Sequence, residues 1–341
     1  MSFYILLLCG VVLSSICVSY AKYKETQLIA KFITFNILFV PAAIRYGIGL
    51  DYFNYTHIFQ GTMRVSESGF NFINQTIAYF GGNAQWVFII VSFLTYFFFF
   101  QEVETKRWCI YAPVFLCTMY AYSFNTLRQV LCIAMAFNAL LKYQKGKKNR
   151  AFIIIFLSYF IHKSALFYIP ILIIVNLFKF EKKYVIILFF MSFCFSVFIF
   201  PKLIRGVFSI IAMTSYSSYL WDSTFGGKAE ISSGLGRMLR YLVYFLITLC
   251  LPNNKNNRKL SALFLFYITT DFLAQSILIL NRIGRCVIFL YEPLTYEVYK
   301  SRKQQQLYFL IMIFCILILF YLDLHNGFYG SIPYVSIFDV R

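Results

Sequence analysis

Two pairs of arginines are the residues of this chain whose type and spacing most clearly suggest chemistry. Arg237 and Arg240 lie three positions apart beside one apolar stretch, and Arg282 and Arg285 repeat that spacing beside another. Residues three apart share one face of a helix, and a guanidinium presents a planar fork of donors that matches phosphate oxygens. With Arg205, inferred from charge alone, the pairs predict a phosphate-binding site. The alternative is that each arginine extends to a polar interface.

A further cation, Arg128, follows the letters SFNTL and opens an otherwise apolar helix. A charged group in such a position is costly unless it is paired, so it is a functional candidate. Asp51 and Asp271 are its candidate partners. The competing interpretation of Arg128 is a structural ion pair.

An acid and a histidine are the candidates for proton transfer. Asp51 lies in RYGIGLDYFNYTHIF, where two glycines allow an irregular backbone and aromatic rings can stack on sugars. His162 interrupts the apolar segment SYFIHKSALFYIP and can accept a proton near neutral pH. The competing interpretations are an interfacial aromatic belt and a structural helix end. We predict catalytic roles for Asp51, Arg128 and His162.

Composition determines the class of protein that must position these residues. Hydrophobic residues make up 60% of the chain, charged residues 13%, and the mean hydropathy is +0.71. This is more apolar surface than a water-soluble fold of this length can bury, so lipid must be the main solvent. We therefore assign the net charge of +18 to membrane sides and expect no nucleic-acid partner.

Several common chemistries have no signature in the sequence. The nine cysteines form no Cys-x-x-Cys pair or metal-binding cluster with histidine. The chain also lacks a P-loop, a G-x-S-x-G elbow, an H-E-x-x-H helix and the glycine pattern of dinucleotide-binding folds. We expect neither a metal nor a cofactor.

The hydropathy pattern predicts an all-α, polytopic membrane protein, with about twelve transmembrane helices in a single domain over residues 1–341. The predicted spans are residues 3–20, 28–44, 84–100, 109–124, 126–141, 151–162, 164–178, 184–200, 236–252, 260–280, 283–299 and 307–323. The division of 151–178 depends on a turn at His162 and Lys163. Without that turn, every later span would be inverted.

The distribution of lysine and arginine predicts the orientation. Alternate connections are short and rich in lysine, so the positive-inside rule places them in the cytoplasm. The longest loops, about 45–83 and 201–235, are then external. Most arginines fall on that outer side, against the rule, so we expect an external anion there. The predicted location is the bacterial inner membrane, with the site facing the periplasm.

Three motifs occur in order along the chain: RYGIGLDYFNYTHIF, SFNTLRQVLCIAMAFNALLKYQKGKK and FIIIFLSYFIHKSALFYIP. Together they resemble the EpsG family of exopolysaccharide and O-antigen (Wzy-type) polymerases over about residues 41–175. The resemblance is looser near Arg282 and in the tail NGFYGSIPY. It implies a fold of the polysaccharide polymerase and ligase (GT-C-like) class. The positions that match the family motifs are Arg45, Gly47, Gly49, Asp51, Tyr52, Arg128, Gln129, His162 and Ser164. Among these, the resemblance implies substrate-binding roles for Arg45, Tyr52 and Gln129.

The resemblance also implies a function, namely polymerisation of undecaprenyl-pyrophosphate-linked oligosaccharide repeat units into O-antigen or exopolysaccharide. In this hypothesis arginines bind the pyrophosphate leaving group, and either His162 or Asp51 deprotonates the acceptor hydroxyl. The expected partners are the lipid-linked oligosaccharides, the lipid bilayer, a chain-length regulator and a flippase.

Three alternative functions stay open. A flippase or other transporter of lipid-linked oligosaccharide should spread its charges through the spans, whereas here they gather at the outer ends. A membrane acyltransferase that modifies surface glycans would use a cytoplasmic acyl donor, and the cytoplasmic connections are short. A purely structural subunit would not explain the external arginines. The sugar, the linkage, its stereochemistry and the choice of base also stay open.

Overall fold

A computed structural model describes residues 1–171, 180–203, 206, 209, 213, 234–274, 279–301, 305–327 and 329–339. The chain divides into two compact units. The first comprises Met1–Leu172, Tyr291–Tyr296 and Leu317–Arg341, and the second comprises Ile173–Leu290 and Glu297–Ile316. Arg205, one of the predicted substrate-binding residues, lies outside the described residues.

Within the described residues, the first unit contains no strand and is built from helices. In chain order these are α1 (Ser2–Tyr20), α2 (Lys24–Ile44), α3 (Tyr52–Phe59), α4 (Ser68–Tyr79), α5 (Ala84–Phe100), α6 (Trp108–Phe115), α7 (Ala121–Asn125), α8 (Leu127–Gln144) and α9 (Lys148–Ile161). Two 3₁₀ turns, at Thr105–Arg107 and Lys163–Phe167, and a π-helical turn at Leu116–Tyr120 complete it. At the start of α5, the Asn83 side chain accepts the N–H of Gln85 at 3.1 Å, which satisfies one of the donors that a helix leaves unpaired.

The second half of the chain is helical as well. Its helices are α10 (Lys182–Cys194), α11 (Leu235–Cys250), α12 (Lys255–Leu273), α13 (Ile279–Arg285), α14 (Tyr291–Tyr299) and α15 (Gln306–His325). A π-helical turn, Phe195–Ile199, continues α10. The predicted span 283–299 is not one helix, because a turn and a 3₁₀ segment at Ile288–Leu290 separate α13 from α14.

Among the described residues, four helices are each long and apolar enough to cross a membrane: Ser2–Tyr20, Lys24–Ile44, Lys182–Leu203 and Gln306–His325. A fifth candidate is the pair Ala84–Phe100 and Thr105–Asn125, which is bent by 104° at a short break. The chain is therefore a helical membrane protein, but its described residues do not confirm the predicted count of about twelve spans. The other helices are shorter or more polar. The 14 residues of α9, for example, extend only about 21 Å, against a hydrocarbon core of about 30 Å.

The core of the first unit surrounds α8. This helix packs against α5 and α9, while α2 packs against α1 and α5. Almost every residue of α8 from Leu127 to Lys142 is buried, including polar Gln129 and Asn138. Aromatic rings from α3, α4 and α5 join the same core, since Tyr52, Phe70 and Phe88 cluster with Leu131. The helix that begins with Arg128 is therefore the central element of its unit.

Aromatic side chains hold the second unit together. The ring of Phe272 on α12 lies 4.8 Å from Tyr241 on α11 and 5.5 Å from Phe193 on α10. These edge-to-face contacts bring α10, α11 and α12 together. As a result, the arginine-bearing start of α11 and the Asp271 end of α12 belong to one packed group.

Candidate functional site

The loop after α2 has the irregular backbone that its glycines predict. Gly47 has φ of 61° and Gly49 has φ of 97°, a region that favours glycine. A Cβ atom on Gly49 would lie 2.5 Å from the carbonyl oxygen of Phe124. The next residue, Leu50, donates its backbone N–H to Oδ1 of Asn125 at 2.8 Å. The loop therefore packs on the junction between α7 and α8, through the backbone of Phe124 and the side chain of Asn125.

The C-terminal tail fixes the other side of this loop. Tyr46 donates its N–H to the carbonyl of Val335 at 2.9 Å, and Gly49 donates to Gly330 at 3.1 Å. The hydroxyl of Tyr4 on α1 donates to the carbonyl of Ser331 at 2.8 Å. These bonds satisfy backbone groups of a loop that has no regular partner of its own. The tail, which resembled the family only loosely in sequence, is thus part of the framework of the site.

Asp51 precedes α3 and is half-buried, and its Oδ1 accepts a hydrogen bond from Asn54 at 3.1 Å. Its neighbour Tyr52 points inward. The Tyr52 ring is 3% exposed and stacks on Phe88 at 4.5 Å, while its hydroxyl donates to Gln85 at 3.3 Å. The predicted sugar-stacking ring therefore packs in the core, and Asp51 is the residue of this pair that solvent reaches.

Tyr55 connects Asp51 with Arg128. Burial raises the pKa of Tyr55, the nearby Arg128 opposes that shift, and the charge of Asp51 adds to it. Both charged groups therefore lie close enough to act on one phenol, although no direct ion pair joins them. The structure thus gathers two of the three predicted catalytic residues around one buried hydroxyl.

Arg128 pairs with an acid that the sequence analysis did not identify. Its Nη1 lies 2.7 Å from Oε2 of Glu67, with side-chain exposures of 21% and 9%, respectively. The guanidinium also lies 5.4 Å from the centre of the Phe70 ring. Within the first unit, the partner of Arg128 is therefore Glu67 and not the predicted Asp51. Glu67 is 61 positions away in sequence. The only sequence feature that could have identified it as a partner is its place directly before the amphipathic segment SGFNFINQTIAY.

Arg45 is enclosed in the first unit. It has no exposed surface, and the rings of Phe88 and Phe124 each lie 4.8 Å from its guanidinium carbon. Nη1 donates to the carbonyl of Ala42 and to Ser92 Oγ at 3.5 Å, whereas Nε and Nη2 are buried without a hydrogen-bond partner. Arg45 was predicted to bind substrate, but here its position supports the loop instead of meeting solvent.

His162 ends α9, as its sequence predicts. The helix stops at Ile161, and His162 has extended backbone angles of φ −156° and ψ 132°. Its Nδ1 accepts the backbone N–H of Ser164 at 3.1 Å and lies 2.8 Å from Ser164 Oγ. A neutral imidazole that accepts through Nδ1 carries its proton on Nε2. The predicted interruption is confirmed, and it fixes the tautomer of the ring.

His162 also borders the helix that carries Arg128. Cys132, four residues after Arg128 and so on the same face of α8, contacts the His162 carbonyl at 3.8 Å through its sulfur. Gln129, another predicted binding residue, is 7% exposed and accepts a hydrogen bond from the Tyr122 hydroxyl at 3.1 Å. Gln129 thus faces the core, whereas Arg128 and His162 lie along one side of α8.

In the second unit, the arginine pairs lie at different kinds of helix end. Arg237 and Arg240 are near the start of α11, as predicted, but Arg282 and Arg285 occupy the last turn of α13 instead of opening the next helix. A helix C-terminus carries partial negative charge, so cations are favourable there. This gives Arg282 and Arg285 a structural contribution that the sequence analysis did not anticipate.

Asp271, near the end of α12, is an acid of the second unit with a described set of hydrogen-bond partners. Its carboxylate accepts hydrogen bonds from the Tyr244 hydroxyl at 3.0 Å and from Asn281 at 3.2 Å. Asp271, Arg240 and Arg285 all act electrostatically on Tyr267. Two of the predicted arginines and Asp271 therefore lie within electrostatic range of one phenol of the second unit. Across the described residues of both units, no group of three His, Cys, Asp or Glu side chains is arranged to hold a metal ion.

These features define a helical membrane protein with charged residues at helix ends in each unit. In the first unit, the C-terminal tail holds the loop that carries Asp51. The EpsG family model matches residues 28–336, so the chain belongs to the EpsG family, a family of polysaccharide polymerase-like membrane proteins. Comparison with curated proteins and with solved structures finds no match for the chain.

Proposed function

We propose that this protein polymerises undecaprenyl-pyrophosphate-linked oligosaccharide repeat units into O-antigen or exopolysaccharide. Membership of a polysaccharide polymerase-like family supports this reaction class. One structural observation supports it most directly: the loop that carries Asp51 docks at Phe124 and Asn125, immediately before the helix that carries Arg128. An acid for proton transfer and a cation for a phosphate group are thereby brought to one place.

The proposed reaction is glycosyl transfer. The acceptor hydroxyl of one lipid-linked unit attacks the anomeric carbon of a second glycan, and the bond from that carbon to the diphosphate oxygen breaks. The diphosphate leaves with the electron pair. Because negative charge develops on it, a positioned guanidinium stabilises the transition state more than the ground state. We assign that role to Arg128, and binding of the lipid-linked diphosphates to Arg205, Arg237, Arg240, Arg282 and Arg285.

Asp51 is the better candidate for the base. A base must have a free lone pair where the hydroxyl proton is transferred. In His162, the lone pair of Nδ1 already accepts the Ser164 N–H, and Nε2 carries the proton. We therefore assign proton acceptance to Asp51, and hydrogen-bond donation from Nε2 toward a sugar or phosphate oxygen to His162. Three of the residues predicted to bind substrate instead stabilise the core beneath the site: Arg45, Tyr52 and Gln129.

The proposal retains a polytopic, GT-C-like arrangement with about twelve spans in the bacterial inner membrane and the site on the periplasmic face. The enrichment of lysine in alternate short connections supports this orientation. As protein partners we propose a flippase that delivers the lipid-linked units and a chain-length regulator.

Deletion of the gene in its native strain, followed by gel analysis of lipopolysaccharide and capsule, tests the reaction class. We expect loss of the long-chain ladder and retention of a single capped repeat, both reversed by the wild-type gene. Lipid-linked units that accumulate facing the cytoplasm would instead identify a flippase. An unchanged ladder would contradict the proposal.

A further inference from the structure

Glu67 occupies the N-cap position of α4, but its side chain pairs with a residue of another helix. It is the residue before α4, with extended backbone angles of φ −84° and ψ 113°, and it makes no side-chain hydrogen bond to its own helix. Residues at this position usually bond to the N–H groups of the first turn. The Glu67 carboxylate instead pairs with Arg128 at 2.7 Å. This acid therefore holds a guanidinium and does not cap α4.

The surroundings of Arg128 are suited to an anion with more oxygens than a carboxylate. Its guanidinium has five N–H donors, of which the Nη1 group donates to Glu67. Its Nε is buried without a hydrogen-bond partner. The Tyr55 phenol, on which Arg128 acts electrostatically, and the Phe70 ring line the same position. A tetrahedral phosphate group presents oxygens in several directions, so it can engage the guanidinium and the phenol together.

The segment that presents Glu67 is held at one end. Thr62 and Met63 donate their backbone N–H groups to the carbonyl of His57 at 3.0 and 3.2 Å. Residues 61–64 are exposed, and Gly61, with φ of 77°, has open space where a side chain would lie. Withdrawal of Glu67 from Arg128 would therefore disturb few contacts of residues 61–64, and the packed contact closest on the preceding side is that of Val65 with the core.

From these observations we infer a subsite at which Arg128 and Tyr55 bind a phosphate group of the substrate, and that Glu67 fills this subsite until the substrate's diphosphate displaces it. The inference rests on the proposed function for the identity of the substrate. A diphosphate carries more charge than one carboxylate. It can also engage the guanidinium fork with two oxygens, whereas Glu67 uses only Oε2 on Nη1, so the diphosphate is the stronger partner. Glu67 then excludes weaker, singly charged anions from the subsite.

Titration of the purified full-length chain in nanodiscs with inorganic pyrophosphate, followed by calorimetry, tests the exchange. We expect Glu67→Gln to bind pyrophosphate about 5- to 10-fold more tightly than wild type, since the competing charge is gone. Glu104→Gln is the matched control. It removes an acid that pairs with a different arginine, Arg107 at 3.1 Å, and should change the affinity less than twofold.

The role of Arg128 is tested in the same titration. Arg128→Gln should weaken pyrophosphate binding at least tenfold, and the Glu67→Gln, Arg128→Gln double variant should bind no better than Arg128→Gln. The inference is overturned if Glu67→Gln melts at the wild-type temperature but binds no more tightly. It is also overturned if Glu67→Gln tightens binding equally without Arg128, because the effect would then be a general change of charge.

A second measurement does not depend on altering Glu67. Val65 is partly buried against the core of the first unit, so a thiol placed there by Val65→Cys should react faster with a maleimide when pyrophosphate is present, relative to the parent protein. An unchanged rate contradicts displacement. In nanodiscs rich in phosphatidylglycerol, the same acceleration without pyrophosphate would identify a lipid headgroup as the ligand and overturn the assignment to a diphosphate.

Failure of this inference and failure of the proposed function have different outcomes. If the ladder depends on the gene but Glu67→Gln leaves pyrophosphate affinity unchanged, the polymerase stands and the exchange at Glu67 fails. If Glu67→Gln tightens binding through Arg128 but the ladder does not depend on the gene, the phosphate subsite stands and the polymerase fails.

Discussion

The backbone N–H of Leu50 donates a hydrogen bond of 2.8 Å to the side-chain oxygen of Asn125. This bond joins the residue before Asp51 to a residue three positions before Arg128, so two segments far apart in sequence become one site. Asn125 is 8% exposed, so the loop is anchored at Leu50 by a side chain that is held in the core. The position of Asp51 is therefore tied to the start of α8.

The first prediction concerns the close approach at Gly49. Gly49→Ala places a Cβ atom at a φ of 97° and 2.5 Å from the Phe124 carbonyl. We expect a loss of about 2–4 kcal/mol in the free energy of unfolding, from backbone strain plus the displaced contact, and loss of polymer formation. Thermal unfolding in detergent and the glycan ladder measure the two effects.

Gly61→Ala is the matched control for that substitution. Gly61 also has a positive φ, 77°, but nothing lies within 4 Å of the added atom. It should therefore show only the strain, about 1 kcal/mol, with a normal ladder. Equal effects at Gly49 and Gly61 would mean that the contact with Phe124 does not position the loop.

The second prediction concerns the buried guanidinium of Arg45. A lysine there keeps the charge but cannot stack as a plane between the rings of Phe88 and Phe124. We expect Arg45→Lys to cost about 2–4 kcal/mol and Arg45→Met to cost less, because an apolar side chain fills the space without a buried charge. Melting temperatures of the two variants check this. A stable lysine variant beside an unfolded methionine variant would contradict it.

Much of the local structure was predictable from sequence, and the long-range pairing was not. The glycines of RYGIGLD and the interruption at His162 predict a bent loop and a helix end, because both depend on neighbouring residues. The pairing of Arg128 with Glu67 and the docking of the tail at Tyr46 depend on how helices pack, which one sequence does not specify. Burial of Arg45 was likewise unpredictable, since a cation beside a helix end is usually solvated.

The number of membrane spans could not be predicted for the same reason, namely that one sequence does not specify how its helices pack. Apolar runs such as residues 151–162 read as spans in sequence, but an apolar helix can be buried in protein or in lipid. In α8 nearly every side chain packs against other parts of the first unit. Hydropathy therefore located most of the helices. To predict how many of them cross the bilayer, the length of each helix and the groups that surround it must be known as well.

The third prediction concerns the different roles of the two ring nitrogens of His162. Asparagine can accept the Ser164 N–H in place of Nδ1, so His162→Asn should keep stability within about 1 kcal/mol. It lacks a donor at the position of Nε2, so polymer formation should fall about 10- to 100-fold. Glutamine reaches that outer position and should retain more activity. A glutamine variant as inactive as the asparagine variant would contradict a donor role.

The fourth prediction is a dependence of stability on pH. Glu102 is partly buried, which alone raises its pKa, but hydrogen bonds and charge from Lys142 and Lys145 lower that pKa from 4.5 to about 2. A carboxylate whose pKa is lower when folded stabilises the protein above pH 4.5 and loses that contribution as the pH falls toward 2. We expect the melting temperature to drop over that range.

Glu102→Gln should remove most of that acid sensitivity, at a cost of about 1–3 kcal/mol at neutral pH. Glu104→Gln is the control, since the Glu104 side chain is 58% exposed and pairs with Arg107 at the surface. Its melting curve should keep the wild-type dependence on pH. If both variants respond to acid as the wild type does, the Glu102 cluster is not the sensor.

The most direct measurement is the glycan ladder of the deletion strain that carries Asp51→Asn or Arg128→Gln, with Asp51→Glu and Arg64→Gln as controls and protein levels matched by immunoblot. We predict a single capped repeat for the first two variants, because the acceptor proton or the diphosphate charge has no partner. Arg64→Gln, which changes an exposed arginine between α3 and α4, should give a full ladder, and Asp51→Glu a partial one. A full ladder from Asp51→Asn would contradict the account.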